Sequence, residues 1–413
     1  MCEKSFSIKS SLKNYFVRSS RRGLISRLGT SILTWRTTRV FRWPIQGKPK
    51  TYFSNMTQSR LELKDVNRII RFLAQNSSFL DGSIEDYAIW TPIIELQRDL
   101  FAIVDKGNHK ELLEYLGECP KNSLGTGVLQ GIVEFERLSF SRGYNKTVGR
   151  IIFYRLIRLF ESVGLGFRVN NPEQGKWRRS ICEIAEADFR KLEEVLGTRV
   201  ESPKCLSGLL QISMHSRSID LVTVMALNTF LRVRNLSKVI PFTNIVEIGA
   251  GSGFLALHLL KINQVNRLKI IDLPHAIALQ AYLFMNELGP ENVWLFGEPE
   301  VWRKTRRIHL YPHSAWEKMT VEEGTLFINQ DSFPEMHSSA VNSYLDRICS
   351  SGRAYLLSIN HECMAEYQQS KDQLNVSAIA RKFKSLELLE RTPNFIREGY
   401  VDLLFRVTNH REF

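Results

Sequence analysis

Residues 244–253 read Asn244-Ile245-Val246-Glu247-Ile248-Gly249-Ala250-Gly251-Ser252-Gly253. An apolar run that ends in closely spaced glycines predicts a buried strand followed by a tight turn. The next residues, 254–261, have the spacing of a helix. A glycine loop between a strand and a helix lets the backbone approach a bound nucleotide, because glycine has no Cβ and accepts left-handed backbone angles. The stretch therefore predicts the nucleotide-binding corner of an α/β domain; the alternative is a glycine turn that only packs the helix on the strand.

A second predicted strand supplies an acidic residue at the expected distance from this loop. Residues 268–273 read Leu-Lys-Ile-Ile-Asp-Leu, and Asp272 lies 21 positions after Gly251. A carboxylate placed there accepts hydrogen bonds from ribose hydroxyls. Phe254 stands where a dinucleotide fingerprint has its last glycine, so the loop does not match a pyrophosphate site. The pattern favours S-adenosylmethionine (SAM), a nucleoside cofactor without a phosphate.

Short β-rich runs alternate with helical patterns through the rest of the C-terminal region. Further strands are predicted at 292–296, 325–329, 354–359, 386–391 and 400–407. Alternation of this kind is typical of a mostly parallel sheet with helices on its faces. The last two runs predict a closing antiparallel pair. We therefore expect a Rossmann-like, seven-stranded α/β domain at residues 240–413.

The preceding region has helical periodicity. Val66, Ile69 and Leu73 repeat at the spacing of one helical face, and similar patterns recur along the region, the last at 217–233. Residues 61–235 are therefore expected to form a mostly α-helical domain. Its predicted role is to cover the site of a second substrate, to supply specificity or to mediate formation of a homodimer.

The positive charge of the chain is concentrated at its N-terminus. Residues 1–60 contain 13 Lys or Arg and one acid, a net +12 of the total +13, so residues 61–413 are nearly balanced. A basic, Ser-rich arm with amphipathic patches is typical of an organelle transit peptide, of a helix on an anionic membrane surface, or of a flexible tail. The balanced body argues against nucleic acid as a partner.

Two compositional features restrict the compartment. No apolar stretch reaches the roughly 18 residues that a membrane span needs. The six cysteines are far apart and form no CxxC pair, which argues against a zinc ribbon and against a disulfide framework. We expect a cytoplasmic protein, with peripheral membrane contact or organelle import if the arm acts as a targeting segment.

Three motifs resemble those of known methyltransferases. Residues 246–253 resemble motif I of the class I SAM-dependent methyltransferases. Ile-Asp-Leu-Pro at 271–274, with Gln280 in the next helix, and Ile-Asn-Gln-Asp-Ser-Phe-Pro-Glu-Met at 328–336 resemble the sugar O-methyltransferase family within that class. The resemblance covers about 240–413. It implies a SAM-dependent O-methyltransferase that methylates a hydroxyl of a sugar or of a glycosylated molecule.

The same motifs imply which residues hold the cofactor. These residues are Glu247, Gly249, Ala250, Gly251, Gly253, Asp272, Leu273 and Asn329. Rival hypotheses are a small-molecule or nucleic-acid methyltransferase and a SAM-fold subunit without catalysis. Residues 329–332 read Asn-Gln-Asp-Ser, where methyltransferases that act on bases or amides have a Pro-Pro-Tyr motif. A base or amide acceptor is therefore disfavoured.

A sugar hydroxyl needs a base or a metal ion to become nucleophilic. Candidates at the carboxyl ends of the fourth and fifth predicted strands are Asp331, Glu335 and His361. Asp331 is either the acid beside the methyl group or a helix cap, and Glu335 is also explained by a helix dipole. His361 is either a base at neutral pH or a loop-packing residue. The three could together hold Mg²⁺, although nothing in their spacing demands it; His313 receives no predicted role.

Overall fold

The computed structural model describes residues 50–53, 59–77, 91–129, 142–165, 184–362 and 374–408. All of these except Ile184 belong to one compact unit, formed by residues 49–165 and 185–413. Most of the predicted basic arm lies outside the described residues. The boundary between a helical domain at 61–235 and a sheet domain at 240–413 stays a prediction. In the described part of the chain, no helix is both long and apolar enough to cross a membrane.

The strands and helices of the described residues have the following bounds. The strands are β1 (Lys50–Phe53), β2 (Leu210–Met214), β3 (Arg217–Asp220), β4 (Asn244–Ile248), β5 (Arg267–Asp272), β6 (Val293–Leu295), β7 (Ile308–Pro312), β8 (Thr325–Gln330), β9 (Ala354–His361), β10 (Leu386–Pro393) and β11 (Tyr400–Val407). The helices are α1 (Leu63–Gln75), α2 (Thr91–Glu95), α3 (Arg98–Asp105), α4 (His109–Gly117), α5 (Arg142–Ser162), α6 (Glu186–Leu196), α7 (Leu221–Leu236), α8 (Phe254–Leu259), α9 (Pro274–Leu288), α10 (Glu300–Thr305), α11 (Ser338–Cys349) and α12 (Val376–Ala380).

The main sheet has eight strands in the order β10-β11-β9-β8-β4-β5-β7-β6. Strands β4 to β9 run parallel, and β11 runs antiparallel to both β9 and β10. After β4 the chain builds one half of the sheet, and it then crosses to β8 on the other side of β4. This reversal creates a topological switch point at the carboxyl ends of the strands, the usual place for a ligand crevice in such sheets. The predicted Rossmann-like fold is confirmed.

The sheet has one strand more than the seven expected. Strand β7 lies between β5 and β6 and is buried along its length. His309 and Pro312 interrupt its apolar pattern, which is why the sequence does not mark it as a strand. His309 is accommodated because its ring packs edge-on against Trp294 and its Nε2 hydrogen-bonds with the Arg306 carbonyl at 3.0 Å. Burial lowers the pKa of His309 to about 4, so the side chain is neutral at neutral pH.

The region predicted as helical also contains a small sheet. Strands β1, β2 and β3 pair antiparallel in that order. Residues 210–214 alternate apolar and polar side chains, a pattern that indicates a strand. The helix expected over 217–233 consequently begins only at Leu221. His215, with a φ of 53°, lies in the tight turn between β2 and β3.

Helices cover both faces of the main sheet. Val246 and Ile248 of β4 lie in one hydrophobic core with Val341 and Leu345 of α11. Because side chains alternate along a strand, Ile245 points to the opposite face, where it is also fully buried. Helix α9 packs against β5, β6 and β7, and α7 packs on α8. The buried strands therefore fix the positions of the loops at their carboxyl ends.

Candidate functional site

A cavity of about 760 Å³ opens at the carboxyl ends of β4, β5 and β8. Its walls include most of the predicted cofactor residues, namely Glu247, Gly249, Ala250, Gly251, Asp272 and Leu273. Asp331 and Glu335, two of the three predicted catalytic residues, also line it. The other three predicted site residues, Gly253, Asn329 and His361, are not among the described residues that line the cavity. The structure thus brings most of the predicted site together at the switch point of the sheet.

The three glycines of the loop have different structural roles. All have positive φ, with 71° at Gly249, 56° at Gly251 and 78° at Gly253. A Cβ on Gly249 would collide with the Ser332 side chain, and one on Gly253 would lie 2.7 Å from the Phe284 Cζ. A Cβ on Gly251 would meet no described atom within 4 Å. Packing therefore requires Gly249 and Gly253, whereas Gly251 leaves open space above the loop.

Asp272 ends β5 and is tied to the glycine loop. Its Oδ2 accepts hydrogen bonds from the Gly251 N–H at 2.9 Å and from the Gln280 Nε2 at 2.8 Å. Its Oδ1 accepts one from the Leu273 N–H at 2.8 Å. The Gln280 Nε2 also donates to the Gly251 carbonyl at 2.9 Å. Burial raises the pKa of Asp272 to about 6, so the group is mostly ionised at neutral pH.

Glu247 of β4 is a second buried acid in the same wall. Burial, together with the negative charge of Asp272, raises the pKa of Glu247 to about 8. The side chain is 4% exposed, and its Oε2 has no hydrogen-bond partner within the described residues. At neutral pH Glu247 is therefore mostly protonated, and Glu247 and Asp272 together carry about one negative charge beside the glycine loop.

Asp331 follows β8 and has a left-handed backbone, with a φ of 69°. Its two carboxylate oxygens accept hydrogen bonds from the two terminal nitrogens of Arg397, each at 2.8 Å. The Arg397 guanidinium also stacks on the Tyr400 ring, 3.4 Å from the ring centroid. Such a bidentate pair fixes both groups in position. The alternative role of Asp331 as a helix cap is not observed, because the side chain of His337 caps α11.

Sequence reasoning does not find Arg397 or Tyr400. Arg397 lies 66 positions after Asp331 and belongs to the connection between β10 and β11. Only the pairing of β11 with β9 brings this connection to the cavity. Burial raises the pKa of Tyr400, and the charge of Asp331 raises it further. The one signal available was their position, since Arg397 lies between the two predicted closing strands and Tyr400 begins the second of them.

Asn329 and His361 do not line the cavity. The Asn329 Oδ1 accepts from the Asn360 Nδ2 at 2.9 Å, and its Nδ2 donates to the Ile248 carbonyl at 3.1 Å. Asn329 is fully buried, and these two hydrogen bonds join β8 to β4 and to β9. His361 ends β9, and its ring lies edge-on to the Tyr400 ring with the centroids 5.7 Å apart.

The arrangement of acids and histidines decides whether the site could hold a metal ion. Within the described ranges, no group of three or more His, Cys, Asp or Glu side chains is arranged to hold a metal ion. Asp331, Glu335 and His361 do not form such a group, and the Mg²⁺ site considered from the sequence stays a hypothesis. His313, which had no predicted role, lines the cavity, and burial lowers its pKa to about 4.

The remaining walls come from both halves of the chain. Helix α7 contributes Val222, Met225 and Ala226, and an earlier segment contributes Gly127 and Val128. On the other side lie the aromatic rings of Trp316 and Tyr344, whose centroids are 4.8 Å apart. The region predicted to cover the second substrate thus forms part of the cavity wall.

No protein-family model matches the chain, and no curated protein matches it. A SAM-dependent methyltransferase from Aquifex aeolicus is 13% identical, with a TM-score of 0.32 over 43% of this chain and 88% of its own. The glycopeptide N-methyltransferase MtfA is 11% identical, with a TM-score of 0.33 over 44% of this chain and 90% of its own. A ribosomal protein L11 methylase from Lactobacillus delbrueckii subsp. bulgaricus is 9% identical, with a TM-score of 0.29 over 45% and 78%. At these TM-scores the similarities carry no argument about activity.

Proposed function

We propose that the protein is a SAM-dependent O-methyltransferase whose acceptor is a hydroxyl of a sugar or of a glycosylated molecule. The observation that supports this best is the open space above Gly251, next to the carboxylate of Asp272 at the end of the neighbouring strand. The motifs at 271–274 and 328–336 favour a sugar as the acceptor.

The cofactor end of the cavity fits a nucleoside that carries no phosphate. Asp272 presents a carboxylate suited to ribose hydroxyls, and Gly251 allows close approach of the ligand to the loop. Phe254, the first residue of α8, replaces the glycine of a pyrophosphate site. When bound, SAM supplies an electrophilic methyl group. Glu247 is mostly protonated at neutral pH and can donate a hydrogen bond into the same space.

The acceptor end offers carboxylates that can orient and deprotonate a hydroxyl. The Asp331 side chain is 35% exposed, and Arg397 holds its orientation. We assign the first role in acceptor activation to Asp331 and a secondary role to Glu335, which lines the same wall. His361 receives less support because it does not line the cavity and its ring packs against Tyr400.

The other expectations from the sequence stay proposals. The region at 61–235 would cover the acceptor and set specificity, which agrees with the positions of Val222 and Met225 in the cavity wall. The others are formation of a homodimer, peripheral membrane contact or organelle import through residues 1–60, and a cytoplasmic location.

A matched pair of glycine variants tests cofactor binding. Gly251 and Gly107 both have positive φ, 56° and 61°, and an added Cβ meets no described atom within 4 Å at either position. Gly251→Ala and Gly107→Ala should therefore lower stability equally, by about 1 kcal/mol each. In calorimetric titrations with SAM, only Gly251→Ala should lose affinity, by roughly tenfold or more, because its methyl group enters the ligand space.

Either of two results would overturn the proposal. If the folded full-length protein binds no SAM, or if Gly251→Ala binds SAM as well as Gly107→Ala does, the cavity is not the SAM site. Once binding is established, methyl transfer from labelled SAM to a panel of glycosides tests the acceptor. SAM binding without transfer to any hydroxyl would favour the non-catalytic subunit.

A further inference from the structure

Helix α7 presents apolar side chains to the cavity. Val222, Met225 and Ala226 line the wall, and residues with this spacing lie on one side of a helix. These three side chains form the apolar face of α7. The opposite side of the helix belongs to the core, where Val224 and Leu227 are fully buried. Val222 and Met225, in contrast, are only partly buried by the described residues.

A hydrogen bond places this apolar face beside the proposed acceptor groups. Thr229 follows Met225 by four positions and therefore lies on the same side of α7. Its Oγ1 donates to the Gln330 Oε1 at 2.6 Å. Gln330 ends β8 and directly precedes Asp331, and both residues line the cavity. The apolar face is thus next to the end of the cavity that contains Asp331.

The polar groups of this end are clustered on other elements. Asp331, Arg397 and Tyr400 line the cavity together. They are connected by the bidentate ion pair and by the guanidinium that stacks on the Tyr400 ring. A ligand at this end of the cavity therefore meets a charged, hydrogen-bonding surface and a hydrocarbon surface.

The two surfaces favour different parts of a ligand. Hydrocarbon in a cavity wall is stabilised when an apolar group displaces the water that covers it. Hydroxyls pressed against the same wall lose their water without gaining a hydrogen bond, which is unfavourable. A free monosaccharide, with hydroxyls around its ring, matches only the polar surface. A sugar linked to an apolar aglycone matches both.

We propose that the acceptor is a glycoside whose apolar aglycone, an alkyl or aryl group, packs on the apolar face of α7. The sugar hydroxyl to be methylated then lies at Asp331 or Glu335. The inference rests on the proposed function and narrows its acceptor from sugars in general to sugars that carry an apolar group. In this arrangement Met225 contributes to acceptor affinity and takes no part in methyl transfer.

The test uses the full-length protein saturated with S-adenosylhomocysteine, the product form of the cofactor. Methyl, hexyl and phenyl glycosides of β-D-glucose and of β-D-galactose are titrated by calorimetry, below the concentrations at which the hexyl glycosides form micelles. In at least one sugar series, the hexyl or the phenyl glycoside should bind about tenfold more tightly than the methyl glycoside. The hexyl and phenyl probes distinguish an alkyl from an aryl aglycone.

Methionine variants locate the effect on α7. Met225→Gln keeps the length of the side chain but makes it polar, so the preference for the larger aglycone should fall to about threefold or less. Met225→Leu keeps an apolar surface of similar volume and should retain the preference. Met214→Gln is the matched control, because Met214 is also partly buried but lies in β2 and not among the residues that line the cavity. It too should retain the preference.

Several results would overturn the inference. They are equal affinity for the methyl, hexyl and phenyl glycosides, binding of none of them, and a preference that survives Met225→Gln or is lost in Met225→Leu. A loss of affinity for S-adenosylhomocysteine in Met225→Gln of about tenfold or more would assign the apolar face to the cofactor and would also overturn it.

A separate titration with S-adenosylhomocysteine alone distinguishes this failure from failure of the proposed function. If the cofactor product binds and the aglycone preference is missing, only the apolar aglycone is wrong. If the preference is present and the cofactor product does not bind, the methyltransferase proposal is wrong.

Discussion

The two ends of the cavity are assembled in different ways. The end proposed for the cofactor is built from β4, the glycine loop, the end of β5 and the first half of α9, all within residues 244–280. The end proposed for the acceptor combines Met225, Asp331 and Arg397, which span 172 positions of the chain. A site made of adjacent segments has a recognisable spacing in the sequence, whereas a site made of distant segments depends on how the sheet and helices pack.

The largest effect is expected at the cofactor end. Asp272→Ala removes the carboxylate that accepts hydrogen bonds from Gly251 and Gln280. It also removes the proposed ribose contact. Affinity for SAM should fall roughly a hundredfold, since each hydrogen bond to a charged group contributes about 1.5–3 kcal/mol. Calorimetry on the folded variant measures the change.

Asp346→Ala is the control for this variant, because Asp346 is an exposed acid on α11. It should bind SAM as the wild type does. If the affinity of Asp272→Ala for SAM stays within threefold of the wild-type value, the Asp272 carboxylate does not contribute to SAM binding. The ribose contact would then have to be sought elsewhere.

A smaller effect, on stability and not on SAM binding, is expected at the acceptor end. Asp331→Ala leaves the buried Arg397 without its carboxylate partner. Because Asp331 is itself 35% exposed, we expect a loss of about 2 kcal/mol, below the value for a fully buried pair. Urea unfolding measures the loss, and affinity for SAM should stay within about threefold of the wild type.

A double variant sharpens the same comparison. Arg397→Met in the background of Asp331→Ala removes the unpaired charge and should restore part of the lost stability. If Asp331→Ala is as stable as the wild type, the ion pair does not hold the acceptor end together. If it also loses SAM binding, the two ends are coupled.

The last effect depends on pH. Folding raises the pKa of Glu247 to about 8 and that of Asp272 to about 6, above the ordinary values of 4.5 and 3.8. The folded chain therefore holds protons that the unfolded chain releases, so the contribution of these groups to stability falls as pH rises from about 4 to 8. For Glu247 the loss is at most about 1.4 kcal/mol per pH unit.

Glu247→Gln cannot ionise and serves as the comparison. Urea unfolding of both proteins at pH 5.5, 6.5 and 7.5 should show a wild-type stability that declines relative to the variant. Parallel pH profiles of the two proteins would mean that Glu247 stays ionised in the folded state. The cofactor end would then carry two negative charges at neutral pH.

The parts of the fold that the sequence predicted are those with a local pattern. Strand β4, the glycine loop and Asp272 follow from apolar runs and from a spacing of 21 positions. Strand β7 was missed because His309 lies in its centre, where packing against Trp294 makes an imidazole acceptable. Strand β3 was included in the helix predicted over 217–233, and β2 lies in a region predicted to be mostly helical although its residues alternate in polarity.

The sequence by itself determined the α/β class, the glycine loop and the acids that face it, because backbone conformation and strand burial depend on neighbouring residues. Only the tertiary structure decided that Arg397 holds Asp331 and that the His361 ring packs against Tyr400. Those contacts come from the antiparallel return of β11 onto β9. Such long-range pairing leaves no spacing that a single sequence reveals.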